Sequence, residues 1–136
     1  MKAIQDATDM LKEQASNIGE GAKEKSYQLI EDWLQIFPRL QQYGLRVNSF
    51  ALQVAISPAL EAELVGHHVE FSMDSLDAIL NSCKGNPALT SVFTAIRTTY
   101  LLHSKTNLPL IEPLIVRIRI KLTPEIKVYL GKALTD

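Results

Sequence analysis

The chain has 136 residues, of which 46% are hydrophobic and 21% are charged, and its net charge at pH 7 is −1. This length predicts one domain with its own core, and the balanced charge argues against a dedicated nucleic-acid binder, which needs a surplus of Lys and Arg. The single cysteine, Cys83, excludes an intramolecular disulfide. No apolar run is long enough to cross a membrane, and the charged N-terminus lacks the apolar stretch of a secretory signal, so the expected location is the cytoplasm.

Residues 1–21 are predicted to form an N-terminal helical arm. Apolar side chains recur there at helical spacing and form a thin seam on a charged segment, made of Ile4, Ala7, Leu11, Ala15 and Ile18. A seam this narrow does not stabilise an isolated helix in water. We therefore predict that Ile4, Leu11 and Ile18 contact another subunit. Packing on the same domain is the alternative, and a membrane surface is less favoured because the polar face carries mixed charge.

The next segment, residues 26–44, has a wide apolar arc at helical spacing. Its members are Leu29, Ile30, Trp33, Leu34, Ile36, Phe37 and Leu40. A wide arc predicts a helix that is covered on more than one side and forms the main core element. Pro38 should kink or end this helix near Phe37, and Gly44 should close the segment.

Residues 45–56 change to a period of two, which is typical of a half-buried strand. The alternating apolar residues are Phe50, Leu52, Val54 and Ile56, and a shift of 66 positions places them on Val116, Ile118, Ile120 and Leu122. The same shift places Ser57-Pro58 on Thr123-Pro124. Because the alternation continues through each proline, both steps are predicted to be hairpin turns.

A three-residue loop centred on each proline keeps even positions paired with even positions. In the first hairpin this loop would pair Ile56 with Leu60. In the second it would pair Leu122 with Ile126. A bent continuous strand is the second interpretation, and a helix after each proline, as Ser-Pro often begins one, is the third.

Between the two strand regions the pattern is helical. Asp74 is predicted to cap a first helix, Gly85-Asn-Pro87 breaks it, and a second helix continues to His103. The chain is thus predicted to be a single α+β domain, residues 1–136, with helices packed on one face of an antiparallel sheet built from two β-hairpins. The two hairpins can belong to an αββ-αββ internal repeat or can simply be similar, and the sequence favours the two interpretations equally.

Few residues have the spacing of a catalytic or metal site. His67 and His68 are the weak metal candidates, but neighbours on an extended chain point to opposite sides, so a solvated loop is the favoured interpretation. Cys83 lies near a predicted helix end, where the helix dipole does not activate a thiolate. The sequence lacks the short nucleophile, phosphate-loop and CxxC motifs. We therefore predict no catalytic residue, no metal site and no cofactor.

The outer face of the predicted sheet divides into an acidic and a basic half. If the even positions are buried, the first hairpin exposes Glu61 and Glu63. The second hairpin then exposes Arg117, Arg119 and Lys121. Cross-strand charge pairing is the favoured interpretation. The alternative is a basic strip that binds an acidic partner, RNA or anionic lipid, which would include peripheral membrane contact.

The main functional hypothesis is a non-enzymatic binding or assembly protein that acts through its sheet face and N-terminal helix, as a homo-oligomer or with a protein partner. It rests on the lack of a catalytic constellation and on the thin apolar seam. The alternative is a carrier of an apolar ligand or lipid, held between sheet and helix by Trp33, Phe37 and Tyr100. An enzyme of unknown type is the third hypothesis.

Overall fold

The structure is a computed structural model that describes residues 22–133, so the predicted arm with Ile4, Leu11 and Ile18 lies outside the described residues. No helix within the described range is both long and apolar enough to cross a bilayer. In chain order the elements are helices α1 (Ala22–Leu34) and α2 (Phe37–Gln42), strands β1 (Arg46–Gln53) and β2 (Ala59–Gly66), a 3-10 helix (His68–Phe71), helices α3 (Met73–Ser82) and α4 (Pro87–His103), and strands β3 (Leu114–Ile120) and β4 (Pro124–Leu130).

The four strands form one antiparallel sheet in the order β1-β2-β3-β4. The pairs β1–β2 and β3–β4 are hairpins, and β2 also pairs with β3 although residues 67–113 separate them. The helices pack on one face, where the even-numbered positions of β2 and β3 are buried. The predicted α+β architecture with two hairpins is therefore confirmed, whereas an internal repeat is not established.

Both proline steps belong to hairpin connections, as predicted, but the strand registers differ from the prediction. In the first hairpin Gln53 pairs with Ala59, so the loop covers residues 54–58. In the second hairpin Ile120 pairs with Pro124, and the loop covers residues 121–123. Proline lacks the N–H that a strand ladder needs, so it enters a sheet at the first residue of an edge strand or stays outside it. Pro124 enters the sheet as the first residue of β4, and Pro58 stays in the loop. Even positions still face even positions from Ser49 onward in the first hairpin and throughout the second.

The first helical region is broken earlier than expected. Helix α1 ends at Leu34, and Pro38 lies in the first turn of α2, where a missing N–H costs nothing. Helix α2 ends in a Schellman motif, because Gly44 donates to the carbonyl of Gln41 and Leu45 donates to that of Leu40. Gly44 has a φ of 110°, a conformation that glycine adopts without steric cost. This turn leads the chain directly into β1.

The helix caps in the middle of the chain correct one prediction. The cap of α3 is Ser72, whose hydroxyl accepts from the N–H of Ser75, and Asp74 lies inside the first helical turn instead. The next helix begins at the predicted Gly85-Asn-Pro87 break, where the side chain of Asn86 accepts from the N–H of Leu89 and Pro87 follows directly. Serine and aspartate are comparable caps, so sequence alone does not choose between them.

The core lies between the helices and the sheet. Its largest fully buried side chains are Phe71, Phe93, Ile30, Leu34, Leu40, Leu45, Leu60, Leu64, Leu76, Leu89 and Ile96. Four even positions that were expected to be buried are exposed instead, namely Phe50, Val54, Ile56 and Leu122. Phe50 lies on an edge strand, and the other three lie in the hairpin loops, where the helical layer does not cover them.

A close contact constrains the end of β2. A Cβ atom added to Gly66 would lie 2.9 Å from Cε2 of Phe71, which is too close for unstrained packing. Because Phe71 is buried, its ring has little room to move. The turn from β2 into the 3-10 helix therefore requires glycine at this position.

We expect Gly66→Ala to lower the free energy of unfolding by about 1–3 kcal/mol, the usual cost of overpacking a tight site. Phe71→Leu removes the ring that causes the clash, so the double variant should lose less than the sum of the two single losses. Chemical denaturation of the four proteins in this cycle measures the coupling. Strictly additive losses would show that the Phe71 ring is not the constraint.

Candidate functional site

Strand β1 and the loop after it form an exposed, uncharged edge of the sheet. We define the β1 edge as residues 47–56, VNSFALQVAI, a run without any charged side chain. Phe50 and Leu52 face the helical layer, because they pair with the buried residues Ala62 and Leu60. The β1 edge therefore carries apolar side chains on the side that a soluble sheet normally covers.

The helical layer leaves much of this edge uncovered. Helix α2 packs beside β1, and the ring of Phe37 meets that of Phe50 edge-on with the centroids 6.0 Å apart. Phe50 is 44% exposed, Leu52 beside it is partly buried against the core, and Val54 and Ile56 in the loop are 51% and 63% exposed. Large apolar side chains that are exposed side by side are typical of an interaction surface.

The backbone of β1 is paired on one side. Strand β2 occupies that side, and β1 is the first strand in the sheet order of the described residues. In an antiparallel ladder alternate residues direct their N–H and C=O groups to the other side. These groups form a row of hydrogen-bonding positions that a further strand can use.

The opposite edge strand, β4, is built differently. It begins with Pro124 and carries Glu125 and Lys127, which are exposed. Proline and charged side chains are the usual means by which edge strands avoid pairing with other chains. The two edges of the same sheet therefore differ in their capacity to accept a partner.

One irregularity occurs in β1. The register shifts between Val47 and Ser49, so Asn48 forms a bulge, and its side-chain amide donates to the carboxylate of Glu63 at 2.9 Å. From Ser49 to Gln53 the ladder with β2 is regular. Five consecutive residues therefore present an undistorted and uncharged edge.

The charged outer face of the sheet is paired within the molecule. Nε of Arg117 donates to the carboxylate of Glu63 at 3.0 Å, and Nε of Arg119 lies 3.4 Å from the carboxylate of Glu61. The guanidinium of Arg117 also lies over the ring of Tyr129, 5.2 Å from its centroid. Two of the predicted partner-binding residues thus have their charges engaged by neighbouring strands.

The third basic residue predicted to bind a partner, Lys121, lies in the exposed loop between β3 and β4. A shallow concavity of about 440 Å³ covers the charge pairs of the outer face and extends to Ser49 and Ala51. Hydrogen bonds from Asn48 and then from Arg117 lower the pKa of the Glu63 carboxyl. The outer face therefore consists of ion pairs within the sheet, and the side chains beside them along β1 are small and uncharged.

The three aromatic residues predicted to hold an apolar ligand lie in the core. Trp33 and Phe37 are 3% exposed and Tyr100 is 9% exposed, and all three belong to the same buried cluster. Trp33 also lines an open groove of about 510 Å³ between α1 and the N-terminal end of α4, to which Phe37 and Tyr100 do not contribute. The structure therefore does not bring the three together around one pocket.

His68 is buried, contrary to the expectation of a solvated loop, and its ring joins separate segments. Its Nε2 lies 2.6 Å from the carbonyl oxygen of Ile111, which can only accept, so Nε2 donates. In the neutral ring Nδ1 then accepts from the hydroxyl of Tyr100 at 2.7 Å. Burial, and secondarily the charge of Glu112, raise the pKa of the Tyr100 hydroxyl above its usual range, so the hydroxyl keeps its proton. This network holds the segment before β3 against α4.

The two histidines thus differ sharply. The side chain of His67 is 67% exposed, with Nδ1 at 3.9 Å from the carboxylate of Glu112, whereas both ring nitrogens of His68 are engaged. Residues 22–133 contain no group of three or more His, Cys, Asp or Glu side chains placed to hold a metal ion. Cys83 is buried at the end of α3, with Sγ 3.7 Å from the hydroxyl of Tyr43. His68 and Cys83 therefore contribute to packing, whereas His67 faces solvent.

Sequence reasoning missed the β1 edge because it placed the alternating apolar residues in the core. A signal was present, since no charged residue occurs between Arg46 and Glu61, whereas the second hairpin carries charges along both strands. The alternation by itself does not distinguish an edge strand from a central one. That distinction depends on strand order, which sequence periodicity does not encode.

We expect His68→Ala to lower the free energy of unfolding by about 1–3 kcal/mol, because the Tyr100 hydroxyl is left unpaired in the core. The matched control is His67→Ala, which should change stability by less than about 0.5 kcal/mol, as at ordinary surface sites. Urea denaturation monitored by circular dichroism measures both values. Equal losses for the two variants would contradict the role assigned to the network.

The lowered pKa of Glu63 predicts a specific acid sensitivity. A carboxyl whose pKa is lower in the folded protein adds stability above its unfolded value, which is near 4.5, and this stability is lost as the pH falls through the folded pKa. The stability advantage of the wild type over Glu63→Gln should therefore shrink between about pH 5 and pH 3. Asn48→Ala should weaken this pH dependence, and an unchanged advantage across the range would disprove the assignment.

The chain was compared with models of known protein families, with curated proteins and with solved structures. None of the three comparisons found a significant match. The function is therefore inferred from the chain's own contacts, charges and exposed surfaces.

Proposed function

We propose that this chain is a non-enzymatic binding and assembly protein, and that its interaction surface is the β1 edge, where it accepts a further β-strand. The observation that carries the proposal is a run without charge in which, among the described residues, the strand backbone is paired on one side only and large apolar side chains are exposed. Strand addition of this kind takes its affinity from main-chain hydrogen bonds and its specificity from alternate side chains.

The contrast between the two edges supports this proposal. An unprotected edge is a liability for a soluble protein, and β4 carries the proline and charges that remove the liability. The β1 edge lacks charged residues, and burying Phe50, Val54 and Ile56 would stabilise an assembly at about 25 cal/mol for each Å² of apolar area removed from water. A strand that pairs there would form hydrogen bonds with the outer backbone groups of β1 and would cover its exposed apolar side chains.

The edge replaces the charged outer face as the proposed contact. Arg117 and Arg119 already interact with acidic residues of β2, so their charge is in large part compensated. The seam of Ile4, Leu11 and Ile18 is retained as a proposed second contact of the same assembly. The carrier hypothesis has less support, because Phe37 and Tyr100 use their ring surfaces for core packing.

The test is native mass spectrometry of the full-length protein purified from its own host, with Ala51→Lys as the variant. Ala51 is exposed, so lysine there should not unfold the protein. A charged side chain in the middle of the edge should block strand addition. The matched control, Glu125→Gln, makes the same change in net charge on the other edge strand.

We expect the wild type and Glu125→Gln to be heavier than the 15.2 kDa single chain, and Ala51→Lys to shift toward that mass. Circular dichroism should show that the three proteins are equally folded. A wild type seen only as a single chain, or a complex that is unaffected by Ala51→Lys, would overturn the proposal.

A further inference from the structure

We infer that the strand accepted at the β1 edge is β1 of a second copy of this chain, running antiparallel about a twofold axis perpendicular to the sheet. The two four-stranded sheets then form one sheet of eight strands, with both helical layers on the same side. This inference rests on the proposed function and names the partner. A contact in which the same patch meets itself is the commonest way for identical chains to associate.

Twofold symmetry matches the faces of the two copies. When a strand pairs with its own copy about such an axis, the numbers of two opposed residues add up to twice the number of the residue on the axis. The sum is even, so even positions always oppose even positions. Phe50 and Leu52, on the helix side, therefore meet apolar side chains, whereas Ser49 and Ala51, on the outer side, meet small or amide side chains.

Charge also favours a second copy. On the helix side, acidic or basic side chains of a partner strand would lie beside Phe50 and Leu52, find no opposite charge between residues 47 and 56, and lose water without compensation. The matching strand therefore has apolar residues on the helix side, and small or amide side chains on its other side match those of the outer face. The β1 strand meets both requirements.

The regular part of the ladder fixes the most favourable register. It covers Ser49 to Gln53, with the bulge at Asn48 outside it, and its midpoint is Ala51. With the axis at Ala51, this residue faces itself across the two copies, and Ser49 faces Gln53. On the helix side Phe50 of each copy lies opposite Leu52 of the other. Aromatic and aliphatic pairs of this kind stabilise neighbouring strands.

The other edge explains why such an assembly would stop at two copies. After β1 has paired with its copy, the free edges of the eight-stranded sheet are the two β4 strands. These begin with Pro124 and carry Glu125 and Lys127, so they resist further strand addition. The twofold contact is closed and does not propagate into a fibre.

Disulfide trapping tests the arrangement in the full-length protein. Ser49, Ala51 and Gln53 are exposed and share the outer face, and the native Cys83 is buried. We would make Ser49→Cys, Ala51→Cys and Gln53→Cys, oxidise each one mildly, and then oxidise each pairwise mixture. Two cysteines form a disulfide when their Cα atoms lie within about 7 Å, whereas a four-residue offset along a strand separates them by roughly 13 Å. Glu125→Cys, on the other edge strand, is the matched control.

The expected pattern is diagnostic. Ala51→Cys should link to itself, Ser49→Cys should link to Gln53→Cys in their mixture, and Glu125→Cys should not link. An axis at residue 50 would instead link Ser49→Cys with Ala51→Cys, and an axis at residue 52 would link Ala51→Cys with Gln53→Cys. Either of these patterns also supports the antiparallel twofold pairing. Equal self-linking at all three positions would indicate parallel strands and overturn the inference.

The remaining outcomes separate this inference from the proposed function. In one outcome no cysteine variant forms a disulfide, and native mass spectrometry shows a complex with a different protein that Ala51→Lys abolishes. The partner is then not a second copy of this chain, but the proposed function of accepting a strand stands. If the protein is a single chain and Leu11→Asp accelerates amide exchange in β1, residues 1–21 of the same chain cover the edge. That result would overturn both the inference and the proposed function.

Discussion

Alternation of side chains across the sheet is the constraint on which the described structure depends. Each strand directs every second residue toward the helices, and the pairings keep these residues in phase, as Leu60 opposite Ile120 and Val116 opposite Val128 show. A slip of one residue would move a whole apolar set to the outer face. The helices can therefore cover one face only, and the other face has to compensate its charges between strands. The ion pairs of Glu61 and Glu63 with the basic residues of β3 are that compensation.

Most of the architecture could be predicted from the sequence because it depends on local periodicity. The period of two in both strand regions predicts the hairpins and the inward face, and the glycine at 44 and the Asn-Pro step at 86–87 predict where helices end and begin. The strand registers could not be predicted from the same pattern. Moving a hairpin loop by two residues along both strands keeps every side chain on its face, so Ile56 can lie in a strand or in a loop without breaking the alternation.

The candidate site was less predictable because it depends on which strand lies at the edge and how far the helices extend. Phe50 and Leu64 are both apolar residues in strands, yet one is exposed and the other is fully buried. The adjacent histidines illustrate the same limit. His67 and His68 have the same chemistry and neighbouring positions, but the turn into the 3-10 helix directs one side chain to solvent and the other to Tyr100 and Ile111. These differences are produced by tertiary packing, which overrides local pattern.

The long connection between β2 and β3 has a consequence for how the chain folds. The two hairpins close short loops at 54–58 and 121–123, whereas pairing β2 with β3 must bring together strands separated by residues 67–113. Because the entropy cost of closing a loop grows with its length, contacts between distant residues form slowly. The hairpins should therefore form before the centre of the sheet. During that interval the inner edges of β2 and β3 are also unpaired, and both strands are rich in buried apolar residues. Refolding at high concentration would then lose yield to aggregation.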